Sequence, residues 1–218
     1  MPTTDLTLPS LRTQAERLIA LGVDDTAGLS ADWLREVTNQ PQSEAALLVV
    51  HPDVAPASAV AGALSLNGKS AFVVSDMSDV DEFTPIPSAE LPDAPVYLVR
   101  ALDRGDAMAN WSPDEALPAI DGAGRTPLAL TEGLHWVLQQ PEVLQRRHCF
   151  MTIGSRRRKK DGSLDSRIPA VWISNGTGRD GPGNRDAPKV GWCWAGNRHT
   201  WLGFASAAER LTLDELVV

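Results

Sequence analysis

Three of the chain's seven tryptophans, one of its two cysteines and one of its four histidines fall within Gly191 to Ser206, GWCWAGNRHTWLGFAS. So many large rings in so short a stretch demand either a core or a platform. The pattern predicts a tight β-hairpin, with Trp192-Cys193-Trp194 entering and His199-Thr200-Trp201-Leu202 returning. Gly196-Asn197 would supply the turn, because both residue types tolerate positive φ. Opposed residues share a face and alternate residues swap faces. Trp192, Trp194, His199 and Trp201 should then form one surface, with Cys193, Thr200 and Leu202 on the other.

Charge separates this end of the chain from the rest. Arg146 to Gly203 holds 12 Lys/Arg and 4 Asp/Glu, whereas the whole chain holds 20 and 28. The remainder therefore carries 8 against 24, and an acidic body bearing a basic segment points to an anionic ligand or an acidic partner. A net charge of −8 argues against nucleic acid, whose binders are usually basic overall. No apolar run approaches the ~20 residues that span a bilayer, and the N-terminus lacks a basic start with an apolar core. With Cys149 and Cys193 alone there is no disulfide framework, as expected of a cytoplasmic protein.

In chain order, helical spacing predicts a helix over Thr7 to Leu21 and a second from Ser30 to Asn39, making 1–42 a helical N-terminal segment. Residues 43–147 read as an α/β half. Ala45–Val50, a helix over Pro56–Leu66 and Ala71–Ser75 form a small βαβ-like unit with parallel strands, followed by a third strand at Val96–Leu102. Ser112-Pro113-Asp114-Glu115 reads as a capping box whose helix Pro118 cuts short, and a longer helix runs from Thr131 to Gln139. Residues 148–218 read as an antiparallel meander: Cys149–Arg157, a turn on Asp161-Gly162, Arg167–Ser174, and the Trp-rich hairpin, with Leu211 to Val218 as a loose tail or short final element. The expected fold class is α/β (or α+β), a single domain with a mixed sheet and helices packed on it.

The segments LLVVHPDVAPAS, RGDAMANWSPDEALPAI, GLHWVLQQPEVLQRRHCFMTIGSR and KVGWCWAGNRHTWLGFASA resemble an uncharacterised family of actinobacterial proteins, described only as a domain of unknown function. The resemblance runs from about Leu8 to Ala208. It implies a cytosolic bacterial protein and brings no catalytic residues with it.

Function is therefore argued from the residues. The leading expectation is a protein that binds a small planar or anionic molecule through Trp192, Trp194, Arg198, His199, Trp201 and Arg179, with no cofactor. Trp172 is a further candidate ring; aromatic platforms stack on planar groups, and arginines grip carboxylate or phosphate. The bland alternative is that these tryptophans are core. A rival places a metal-assisted hydrolase or transferase where His51, Asp53, Asp76, Asp79, Asp103 and Asp106 follow parallel strands. A third reading is an interaction module that docks an acidic partner through Arg156, Arg157, Arg158, Lys159 and Lys160. Cys193 with His199, or Cys149 with His148, would be needed for a nucleophilic dyad, but the expected register keeps the first pair apart and the second are chain neighbours. No Cys-x-x-Cys or His-x-x-x-His pair offers a zinc site, and no glycine-rich phosphate loop follows any strand.

Overall fold

The computed structural model describes residues 7–39 and 45–217. Pro41 and the boundary expected at 42/43 lie outside the described residues. Three helices open the fold: α1 (Leu11–Ala20), α2 (Val23–Ala27) and α3 (Ala31–Val37). Ser10 and Ser30 cap α1 and α3 through their hydroxyls, accepting from Thr13 N–H and Trp33 N–H. Gln14, fully buried on α1, clamps β1 (Ala46–Val50): its amide nitrogen donates to the Ala46 carbonyl and its oxygen accepts from Leu48 N–H.

Every residue of β1 is buried, so it needs neighbours on both faces. After it come α4 (Ala57–Ala63), the small hairpin of β2 (Ser65–Leu66) and β3 (Lys69–Ser70), and β4 (Phe72–Val73). The expected βαβ unit is not formed. β1 pairs antiparallel with β6 (Val96–Arg100), while β4 joins a different sheet, parallel to a distant strand. A seven-residue helix is short for a crossover that returns to its own sheet, and here α4 bridges two sheets instead. Between β4 and β6, a proline-rich segment carries β5 (Phe83–Pro85) between the 3-10 turns Val80–Glu82 and Pro87–Ala89.

Next, α5 (Pro113–Gly122) starts with the expected capping box, in which Ser112 N–H donates to Glu115 at 2.8 Å. Pro118 does not end α5, which continues to Gly122. Pro118 is the sixth residue of the helix and removes one interior hydrogen bond without ending it. Then β7 (Thr126–Pro127) precedes α6 (Leu130–Gln139), the central element, every residue of which is buried. It packs on β1 on one side and on the second sheet on the other.

That second sheet is built from β8 (Cys149–Met151), β10 (Arg167–Ile173), β11 (Pro188–Trp194), β12 (Leu202–Phe204) and β4, in the order β12-β8-β10-β11-β4. Between β8 and β10, β9 (Ser155–Arg157) peels away to pair with β5. The last strands are β13 (Ser206–Ala207), paired with β7, and β14 (Glu209–Thr212), the second neighbour of β6, and a 3-10 turn over Leu213–Val217 follows them. Of the segment expected as a loose tail or short final element, Leu211 and Thr212 complete an edge strand of the β1-β6-β14 sheet. It is anchored by Arg210, whose guanidinium donates to the fully buried Glu132 at 2.6 and 2.8 Å. Tyr97 O–H completes that cluster, 3.1 Å from Glu132. The whole is a mixed α/β single domain with helices packed on the strands.

The C-terminal meander is present for β8, β10 and β11, which pair antiparallel, but β12 lies parallel to β8 at the far edge. There is no Trp-rich hairpin. β11 and β12 run the same way and are separated by two strands, so Ala195–Trp201 crosses one face of the sheet. Neither Gly196 nor Asn197 has positive φ, which the two-residue hairpin turn requires. Instead the crossing segment is held by the start of α5 and the turn before it. Asp114 N–H donates to the Ala195 carbonyl (3.2 Å) and Asn110 N–H to the His199 carbonyl (3.0 Å).

Candidate functional site

Alternation along the five-stranded sheet sorts its side chains. Phe150, Val171 and Val190 face α6 and the main core, and Gly133 lets the helix come close: a β-carbon there would sit 2.5 Å from the Thr152 methyl. Cys149, Met151, Ile168, Ala170, Trp172, Cys193, Leu202 and Phe204 take the outer face. α5 covers part of that face with Ala116 and Ile120, and the rest opens as a cavity.

The cavity measures about 450 Å³. Cys149, Ala170, Trp172, Cys193 and Leu202 line it from the sheet, His199 and Trp201 from the crossing segment, and Arg147, His148 and Asn175 complete it. His199 stacks on Trp201, with centroids 4.5 Å apart and planes 17° from parallel. Lys189 lies over the Trp172 ring at 4.7 Å while bonding Asp180 at 2.6 Å, which fixes that indole on its far side. The lining contains no carboxylate.

This geometry redistributes the expected site residues. His199 and Trp201 share the cavity with Cys193, so the face expected for them is corrected. Trp192 and Trp194 point to the other side of β11, where Trp192 packs on the main core and meets Trp194 edge-on at 4.5 Å. Trp194 is 46% exposed there. Arg198 is paired with Glu115 and Arg179 with Asp76, at 2.8 Å for the latter. Arg147 and Asn175 were not among the expected ligand-binding residues, His148 was considered only beside Cys149, and Trp172 only as a further ring of the platform. Only the non-local strand order brings them to the cavity, although Trp172 already alternates with Ile168 and Ala170 in sequence.

Cys193 and His199 share the cavity without forming a hydrogen bond. The Cys193 sulfur takes its contact from the Asn197 amide at 3.7 Å. Burial pushes the Cys149 thiol up to about 12, with Cys193 adding to the shift and Arg104 opposing it, so Cys149 stays a neutral thiol. Neither cysteine has the neighbouring base that nucleophilic catalysis needs.

Antiparallel pairing also removes the acidic strand-end site. The end of β1 at His51 lies beside the start of β6, so His51 and Asp53 sit at the opposite edge from Asp103 and Asp106. Asp79 is held by Arg167 at 2.6 Å and Arg157 at 3.1 Å, and Asp103 accepts from Gly105 N–H at 2.8 Å. Among the described residues no three His, Cys, Asp or Glu side chains are grouped to hold a metal ion. Part of the basic run is likewise spent internally. Arg156 donates to the Asp165 carbonyl and Arg157 pairs with Glu82, Asp79 and Asp165, leaving Arg158, Lys159 and Lys160 exposed.

No helix among the described residues is long and apolar enough to cross a membrane. No curated protein and no solved structure matches the chain. A family model does match, over residues 17–213, and the chain belongs to that family, a family of unknown function (DUF5701).

Proposed function

We propose that this protein binds a small planar molecule in the outer-face cavity, against Trp172 and the His199–Trp201 pair. The observation that carries the reading is the cavity itself: concave, about 450 Å³, apolar at its floor, and walled by two indoles and an imidazole. Binding sites for small molecules have this character, an apolar hollow with a few polar groups at the rim. The alternative that tryptophans serve only as core accounts for Trp136 and Trp192, which pack inward, but not for Trp201, 49% exposed at a cavity wall. An anion gripped by Arg198 and Arg179 is disfavoured, because both are already paired. An acidic partner at Arg158, Lys159 and Lys160 has only a diffuse, salt-screened attraction to offer.

The test is a thermal-shift screen of planar aromatic compounds, neutral and charged, on the wild type, Trp201→Ala and Arg158→Ser. Binders stabilise the wild type by mass action. The expected result is stabilisation that Trp201→Ala abolishes and Arg158→Ser leaves intact. Stabilisation by no planar compound, or equal stabilisation of Trp201→Ala, would refute the reading.

A further inference from the structure

One end of the cavity differs from the rest. Arg147 and His148 stand together there, at the turn that leads into β8, where His148 N–H donates to the Gln145 carbonyl at 3.2 Å. Arg147 occupies the third position of that turn with φ of 60°, a left-handed conformation that glycine or asparagine adopts far more readily. Arginine thus sits where the backbone disfavours it, and its guanidinium makes no hydrogen bond or ion pair among the described residues. An observed backbone outlier at a cavity mouth is a reason to look for a task.

His148 is positioned from behind. Its Nδ1 lies 3.6 Å from the Asp106 Oδ1, which in turn is 3.3 Å from the Nε of Arg104. Arg104 is 7% exposed and donates to the Val143 carbonyl at 2.9 Å, while its Nη2 is buried without a partner among the described residues. The turn carrying these groups is pressed onto β12. A β-carbon on Gly203 would come within 2.8 Å of the Asp106 carboxylate and 2.5 Å of the Arg104 carbonyl oxygen. With Nδ1 turned to Asp106, the other ring nitrogen of His148 is left for a ligand. Arg104 and Asp106 offset each other in charge, so Arg147 gives this end of the cavity its net positive charge, and no lining carboxylate opposes it.

The geometry points to a planar aromatic carboxylate as the ligand class, with its ring against the tryptophans and its carboxylate at the mouth against Arg147 and His148. This rests on the proposed binding of a planar molecule in the same cavity. Arginine meets a carboxylate with two parallel N–H donors, and the His148 ring, in its protonated form, donates to Asp106 from one nitrogen and to the ligand from the other.

Two matched probes, 2-naphthoate and its neutral amide 2-naphthamide, separate this inference from that reading by isothermal titration calorimetry. On the wild type the carboxylate should bind about tenfold or more tightly than the amide, the value of one charge-assisted contact. Arg147→Gly suits the left-handed backbone, so it should melt no lower than the wild type. It should bring 2-naphthoate down to about the amide's affinity while weakening 2-naphthamide far less. His148→Gln should reduce the preference for the carboxylate without erasing it. Equal affinities on the wild type, or a preference that survives Arg147→Gly, would overturn the carboxylate assignment and leave the cavity reading standing. Binding of neither probe would overturn both.

Discussion

The imidazole of His199 and the indole of Trp201 lie stacked, 4.5 Å between centroids, although one residue separates them in sequence. Successive alternate residues of a strand would not stack this way over a sheet they belonged to. They do so because Ala195–Trp201 crosses the sheet instead of turning back within it, and the crossing is what closes the cavity. At the far end of the crossing, Gly203 of β12 lets the Arg104–Asp106 turn lie directly over the strand. Gly203→Ala should therefore destabilise the fold by roughly 1–3 kcal/mol, the usual cost of overpacking. Urea unfolding measures this, and a change within error would show that the turn can yield.

Gly133 sits in the middle of α6, where alanine would ordinarily favour the helix by about 1 kcal/mol. Here its β-carbon would lie 2.5 Å from the Thr152 methyl and 3.1 Å from the Phe150 ring. Packing outweighs propensity, so Gly133→Ala should cost about 1–3 kcal/mol net. Thr152→Ser removes that methyl. The double substitution should recover part of the loss, a non-additivity that a double-mutant cycle reads directly.

His135 makes stability fall in mild acid. Burial lowers its pKa from 6.5 to about 4, with the Thr131 carbonyl opposing. Its ring bridges Thr131 O at 2.8 Å and Val50 N–H at 3.2 Å, an arrangement that requires the neutral form. The unfolded chain takes up a proton near 6.5 and the folded one only near 4, so stability is full above that window and is lost as pH falls through it. The total is on the order of 3 kcal/mol. Asp165 acts lower: Arg167 holds its pKa down from 3.8 to about 2, so its share is lost only below pH 4 or so. Urea midpoints at pH 7, 5 and 4 should decline, and more steeply for the wild type than for His135→Gln. A flat profile between pH 7 and 5 would contradict the assignment.

Arg167 joins Asp79 at 2.6 Å and Asp165 at 2.9 Å, tying β10 to the loop after β4. Its pKa is raised by those two hydrogen bonds, Asp79 first. All three side chains are mostly buried, so Arg167→Ala leaves two carboxylates sharing a single cation, Arg157, which is also paired with Glu82. The expected loss is roughly 2–3 kcal/mol, below the figure for fully buried pairs because some solvent reaches them. Asp79→Asn combined with Arg167→Ala should cost less than Arg167→Ala alone.

Local features of this fold were legible in sequence where the signal is local. Ser30 and Ser112 cap helices as their neighbours imply, and Ala46–Val50 is the buried strand its apolar run suggests. What escaped is pairing. Nothing in AFVVS says that Phe72 and Val73 will lie beside Lys189 and Val190, nor in WLGF that Leu202 will lie beside Cys149. Gly196-Asn197 is a strong hairpin signal, yet contacts from Asp114 and Asn110, distant in sequence, outweigh it. The site suffered most. Its tryptophan content was visible, but which rings meet was decided by strand order, so Trp192 went to the core and Trp172 to the cavity.

The central claim, that the cavity is a ligand site, is tested most directly at Cys193, which lines it and is half-buried, whereas Cys149 is buried. The measurement is the rate at which N-ethylmaleimide modifies each cysteine, followed by mass spectrometry, with and without saturating 2-naphthamide. The account predicts that Cys193 reacts faster than Cys149 in the free protein and is slowed several-fold by the probe, while Cys149 stays unreactive. A Cys193 rate unchanged by a probe shown to bind would place that probe elsewhere and contradict the account.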